Sequence, residues 1–208
     1  MPWTSVREGR LWKGLAAFQL CIYLSLGWIR TPTNWLRERG LLAVVVSSLF
    51  LLAAVWVVRK LRAARPTWTE VGVLSLFLAV FVASVLSLER VEERVHLLQY
   101  GIVGGVAYAA LRERRGNLLA EGRAPQWWAR SPALSALVLA TAAGWGDEGI
   151  QALLPNRFYD LRDVGLNAAG GALVIAAMVA RDRLRGGSTP PRDREGLRPH
   201  EGGRGPRR

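Results

Sequence analysis

The chain has 208 residues, half of them hydrophobic, with a net charge of +12 and one cysteine, Cys21. Its apolar residues fall in long runs instead of alternating with polar ones, which excludes an ordinary water-soluble domain and places it among membrane proteins. The lone cysteine excludes an internal disulfide.

A helix needs roughly 20 mostly apolar residues to cross about 30 Å of hydrocarbon, and six segments approach that length. The first, residues 12–29, follows a basic start and carries Cys21 near its middle, where a small buried residue is expected. The connection "RTPTNWLRERG" has the Arg and Pro of a turn at an interface and leads into the second segment, 40–58. "VRKLRAARPTWTE" plays the same part before the third, 70–88. The fourth, fifth and sixth span 95–112, 133–154 and 163–180. Trp35, Trp68, Trp127 and Trp128 flank these segments as an interfacial aromatic belt would. Residues 1–185 therefore read as one membrane domain with no internal repeat. Residues 186–208, rich in Gly, Pro and Arg, read as a disordered basic cytoplasmic tail, because they offer too little apolar surface to fold.

The predicted fold is an all-α, polytopic membrane bundle of about six transmembrane helices with both termini in the cytoplasm. That orientation puts 21 of the 28 basic residues on the cytoplasmic side, while the acids divide evenly, which is the positive-inside bias. The basic surplus is thus a topology signal, and no nucleic-acid partner is expected. The bilayer itself is the expected partner, and the tail would rest on its anionic lipid.

Charges inside a span are costly, at about 2.5 to 3.5 kcal/mol each near its centre on insertion scales, and they mark wet cavities and functional sites. Asp147 and Glu148 lie about two turns inside the fifth segment, and Gln151 shares a helix face with both. On the fourth, His96 and Tyr100 stand one turn apart, with Gln99 beside them. On the sixth, Asp160, Asp163 and Asn167 repeat at i, i+3 and i+7, and the same face continues through Gly170 and Gly171, which admit a close neighbour. The topology returns all three helix ends to the outer side, where these faces would line one polar pocket. Each residue also has a plainer part available. Asp163 suits the positive N-terminus of a helix, Arg157 suits a pair with Asp160, and His96 suits a hydrogen-bonded structural role. Adjacent Asp147 and Glu148 are the hardest to explain so, since two carboxyls in a low-dielectric setting call for a proton, a cation or an arginine nearby.

Glu93, His96 and Tyr100 in "ERVHLLQYG", Asp147, Glu148 and Gln151 in "DEGIQALLPNR", and Arg157, Asp160, Asp163, Asn167 and Gly170 in "RFYDLRDVGLNAAGG" resemble the VanZ-like membrane family. The resemblance covers residues 90–180 and rests on the ordered set of short motifs. Gln99 stands where such proteins often carry an acid. The family is associated with resistance to the glycopeptide teicoplanin. The resemblance implies a protein of the bacterial cytoplasmic membrane acting at the cell envelope, on or with a lipid head group, a lipid-linked cell-wall precursor or a glycopeptide.

In that role Glu93, Tyr100, Gln151, Arg157, Asp160, Asp163 and Asn167 would bind ligand, with the Arg157 guanidinium on a phosphate or carboxylate. The alternative is a membrane-embedded hydrolase or transferase on a lipid-linked substrate. There His96 would be general acid or base, beside Asp147 and Glu148, and a divalent cation would sit on candidates His96, Asp147 and Asp163. A proton-coupled transporter is a further alternative, although it calls for polar groups deeper in the first three segments.

Overall fold

The computed structural model describes residues 3–155 and 159–186. Among them the protein is all-α, 84% helical and without strands. Eight helices follow in order: α1 (Val6–Ser25), α2 (Arg30–Glu38), α3 (Leu42–Ala63), α4 (Trp68–Ser87), α5 (Val91–Ala120), α6 (Trp127–Arg130), α7 (Pro132–Ala152) and α8 (Leu161–Gly186). The six long ones match the six apolar segments of the sequence. Their ends differ, however: α1 stops at Ser25, and α5 runs on from the apolar stretch to Ala120. The connection expected to be a turn after α1 contains helix α2. Arg157 and residues 187–208 lie outside the described residues, as does the expectation of a disordered tail, whose first residue, Gly186, closes α8.

The long helices alternate in direction. One end, here the base, holds the start of α1 and the end of α8; the other, the head, holds the α4–α5 and α7–α8 connections. Helix α5 is the axis, with α1, α7 and α8 packed around it and α4 lying on α8. At 30 residues it is about 45 Å long, and its last turns meet the start of α1 at the base, through Arg114 with Glu8 and Asn117 with Thr4. Those turns end at Gly122, whose φ of +69° only glycine adopts readily, and the Arg123 amide returns to the Leu118 carbonyl at 2.8 Å.

Glycines set how closely α5, α7 and α8 approach. A side chain at Gly170 of α8 would lie 2.3 Å from the Leu97 carbonyl oxygen of α5, and one at Gly104 of α5 would lie 2.9 Å from the Gly171 Cα. A side chain at Gly144 of α7 would lie 2.7 Å from Asn167 Cβ of α8. Small residues at these crossings let backbones touch, as in helix pairs within lipid. The close approach expected of Gly170 and Gly171 is thus made against α5. The core between the helices is built on Leu15, Tyr100, Val103, Ala107, Leu111, Ala136, Ala140 and Ile175.

Among the described residues three helices are long and apolar enough to cross a membrane: α3 over Leu42–Lys60, α4, and α8. The apolar faces of α3 and α4 are open, with Leu51, Leu52, Trp56, Leu76 and Leu86 each more than 60% exposed. A surface of that kind fits contact with lipid and not with water. Cys21 is exposed on α1, contrary to the burial expected of it, because that face of α1 has no neighbouring helix to cover it. Trp35, Trp68 and Trp127 are exposed as a belt requires. Trp128 differs: it packs on the core and lies under the Arg114 guanidinium, 4.9 Å from ring centroid to Cζ.

Candidate functional site

Three helix ends meet at the head. Helix α5 enters with Glu93, His96 and Tyr100 in its first turns, α7 leaves with Asp147, Glu148 and Gln151, and α8 enters with Asp163 and Asn167. The 3.6-residue period places each set on the face turned toward the other two helices. Tyr100, Asp147, Glu148 and Asn167 are at most 1% exposed.

His96 is the centre. Its Nδ1 lies 3.8 Å from Asp147 Oδ2, and its Nε2 lies 3.8 Å from Asp163 Oδ2. Both carboxylates flank the ring closely, yet neither distance is a hydrogen bond. Nδ1 is buried and has no hydrogen-bond partner. Asp147 is held by two side chains: the Tyr100 hydroxyl lies 3.2 Å from Oδ2 and shares its one proton between that oxygen and the Ala143 carbonyl, and Gln151 Nε2 donates to Oδ1 at 3.3 Å. The same Gln151 amide donates to Glu148 Oε1 at 2.9 Å, so the shared face expected of these three residues bonds them directly. Glu148 Oε2 accepts from the Asp160 backbone amide at 3.1 Å, which ties the α7–α8 connection down over the site.

Asp160 differs from the expectation that it shares a helix face with Asp163 and Asn167. It precedes α8, and its side chain is turned to the helix start, where Oδ1 accepts from the Arg162 amide at 2.9 Å. This is an Asx turn, the local bond that makes Asp common before helices. Asp163 occupies the first turn of α8, so the plainer part foreseen for it is real, and its carboxylate also faces His96. Glu93 is buried and pairs with Arg162 Nη1 at 3.3 Å, while its Oε2 has no hydrogen-bond partner.

Asn167 sits one turn beneath Asp163 on α8, against Gly144 of α7. It is fully buried, and both its amide atoms lack partners. A primary amide in that state costs free energy on the order of 1 to 3 kcal/mol, which an ordinary structural residue would not be retained to supply.

Sequence reasoning missed the floor of the site. Tyr23 of α1 donates to the Ala143 carbonyl at 2.8 Å, the carbonyl that also accepts from Tyr100 at 3.2 Å, and Gln19 Nε2 reaches the Tyr100 hydroxyl at 3.5 Å. The signal was present, as Gln19 and Tyr23 are polar groups one turn apart in an otherwise apolar run. Arg162 was missed as the partner of Glu93 because the two are 69 positions apart.

Of the ion ligands foreseen, His96 and Asp163 belong to a group whose donor atoms all lie within 4.8 Å of one another, but the third member is Glu148. Asp147 stands behind the imidazole at its other nitrogen. The base holds a second polar network. Arg114 Nη1 donates to Glu8 Oε1 at 3.0 Å, both groups being buried, and Thr4 donates to Glu8 Oε2 through its amide at 2.8 Å and its hydroxyl at 2.6 Å. Burial pushes the Glu8 carboxyl up, but the bonds from Thr4 and Arg114 outweigh it and hold the group below the usual glutamate value. Comparison with known proteins finds no matching family model, curated protein or solved structure.

Proposed function

We propose that the chain is a six-span protein of the bacterial cytoplasmic membrane, both termini inside, whose head faces outward and binds a polar envelope molecule. The reading rests above all on Asn167: a fully buried amide with no partner, beneath a ring of acceptors drawn from three helices. Glu93, Asp147, Glu148, Asp160 and Asp163 outnumber the basic groups that face them among the described residues, Arg162 and His96. Such a surplus of acceptors suits a ligand rich in hydroxyl and ammonium donors. A glycosylated lipid head group, a lipid-linked cell-wall precursor and a glycopeptide antibiotic share that chemistry. The resemblance to VanZ-like proteins points the same way, toward a part in teicoplanin resistance.

A second reading has one observation in its favour. An imidazole set between two carboxylates is an arrangement that serves general acid or base catalysis, as a hydrolase or transferase acting on a lipid-linked substrate would require. Transport lacks comparable support, because polar groups do not continue from the head along α3 and α4.

Reporter fusions after Arg185 should read cytoplasmic and fusions near Arg37 external. In a teicoplanin-sensitive bacterium the wild-type chain should raise the inhibitory concentration, and Asp147→Asn or His96→Ala, inserted at wild-type levels, should not. An external C-terminus would overturn the orientation. Variants that insert normally and protect fully would overturn the site.

A further inference from the structure

The head contains more than a set of acids. His96, Glu148 and Asp163 come from three different helices, and their donor atoms lie within 4.8 Å of one another. The Nε2-to-Oδ2 separation of 3.8 Å between His96 and Asp163 is too long for a hydrogen bond. Two ligands each about 2.1 Å from one ion take that spacing at an angle near 130°, wider than the tetrahedral or trigonal value, so the pair would close slightly on an ion. The imidazole's other nitrogen faces Asp147, itself held by Tyr100 and Gln151. At 3.8 Å Asp147 does not bond Nδ1, but it stands where the usual support of a metal-bound imidazole stands, a carboxylate behind the ring that fixes the tautomer and turns the free nitrogen toward the ion. Asn167 is an independent observation that points to a ligand here. Its unpartnered amide lies one turn below Asp163 on α8 and against Gly144, one turn below Glu148 on α7, where it would meet an ion-bound water.

We propose that His96, Glu148 and Asp163 hold a divalent transition-metal ion, Zn2+ or Mn2+, with Asp147 as the positioning residue for His96 and Asn167 as a partner of the ion's water. Imidazole among the ligands favours these ions over Mg2+ and Ca2+, which prefer oxygen alone. Three protein ligands leave coordination positions open to water or to an outside donor. The ion also changes what the head accepts: five carboxylates repel a phosphate, whereas an ion seated among them attracts one. The inference rests on the head being the ligand-binding end, as proposed above, and adds that phosphate-bearing head groups belong among its ligands.

The test uses the full chain in detergent micelles, purified through a tag without histidine, stripped with chelator and titrated with Zn2+ or Mn2+ in the absence of lipid and antibiotic. One ion per chain should bind, and His96→Gln, Glu148→Gln and Asp163→Asn should each weaken binding at least tenfold. Asp147→Asn should weaken it by about 10- to 100-fold. His200→Gln, which removes the only other histidine, should bind as wild type. Should His96→Gln fail to fold, Asp163→Asn decides alone, because that side chain is partly exposed and its loss leaves the packing intact. No stoichiometric ion in the wild type, or equal binding by well-folded Asp163→Asn and Glu148→Gln, would overturn the proposal. Glycopeptide protection that survives complete loss of the ion would refute the ion alone, and ion binding without protection would refute the reading above alone.

Discussion

The base and the head of this bundle use the same kinds of residue in opposite ways. At the base each buried carboxylate is hydrogen-bonded by a strong donor: Glu8 by Thr4 and Arg114, and Glu70 by Arg185 and the Thr67 amide of its own capping box. Asp182, nearby and less buried, accepts from Tyr108 at 2.7 Å and from Arg112 at 2.9 Å. At the head Asp147 and Glu148 are hydrogen-bonded as well, by Tyr100, Gln151 and the Asp160 amide, but Asp147 and Asp163 flank the His96 ring at 3.8 Å, too far to bond it, and a buried amide has no partner. Satisfied charges of the first kind hold helices in register, here α1 to α5, α4 to α8 and α5 to α8. Unsatisfied groups of the second kind cost stability and persist where something other than stability keeps them. Burial alone would not have separated the two ends; the wholly unpartnered amide of Asn167 and the unbonded Nδ1 of His96 do, since the partnerless Arg181 Nε at the base still lies 3.6 Å from the Glu70 carboxylate.

The largest test of this contrast lies at the base. Arg114→Met should destabilise the protein by about 3 to 5 kcal/mol, because it leaves Glu8 charged, buried and without the guanidinium that pairs its Oε1. Thermal unfolding in detergent would read the loss. His96→Gln and Asp147→Asn at the head should cost less than half as much. A head substitution that matched Arg114→Met would show that the head, too, is structural, and the contrast would be lost.

Acidification should act on the base in the same sense. Glu8 is held below its unfolded value of 4.5, so its contribution is fully present above that pH and disappears as pH falls through the lower folded value. Unfolding temperature should therefore drop below about pH 4 in the wild type, and Glu8→Gln should flatten that part of the profile. An unchanged profile in Glu8→Gln would place the acid sensitivity elsewhere.

At the head the sign should reverse. Asn167→Leu replaces an unpartnered amide by an apolar group of similar shape, and it should stabilise the protein by roughly 1 kcal/mol while abolishing function. Loss of stability on this change would mean that Asn167 is satisfied in solution and carries no vacancy. In activity, Asp147→Asn combined with His96→Ala should cost little more than either alone, as residues of one site are not additive. Full additivity would divide the head into separate features.

The two ends also differ in how far the sequence reveals them. The long apolar runs locate all six long helices, because hydrophobic length is a property of a segment alone. The head's membership was legible for the same reason: His96, Tyr100, Asp147, Glu148, Asp163 and Asn167 each break an apolar pattern on a helix whose direction the charge bias supplies. What joins them was not legible. The choice of Glu148 over Asp147 as the ligand-spaced acid depends on the rotation of α7 against α8, which the contact of Gly144 with Asn167 fixes. The base was hidden altogether. Arg114 and Glu8 stand in polar stretches, where a charge is expected to be solvated, and only the run of α5 past its apolar stretch to Ala120 brings them together, with Trp128 over the guanidinium. Helix α2 was hidden behind its Pro and Arg, which are tolerated in a first helical turn as well as in a loop.

The smallest expected effect sharpens the comparison within the base itself. Arg7 pairs with Glu113 at 3.3 Å, each the immediate sequence neighbour of a member of the buried Glu8–Arg114 pair, but its side chain is 74% exposed. Charge, distance and location nearly match, so water is the main variable. An exposed pair is screened and must hold two long side chains in one arrangement, which leaves about 0 to 1 kcal/mol. Arg7→Gln should accordingly shift the unfolding temperature by no more than the error between preparations, against the several degrees expected of Arg114→Met. Glu113 would keep the Ser5 hydroxyl at 3.1 Å, so the start of α1 stays tied to α5. An Arg7→Gln effect approaching that of Arg114→Met would mean that net positive charge at the base, and not the satisfied burial of Glu8 and Arg114, is what secures that end of the bundle.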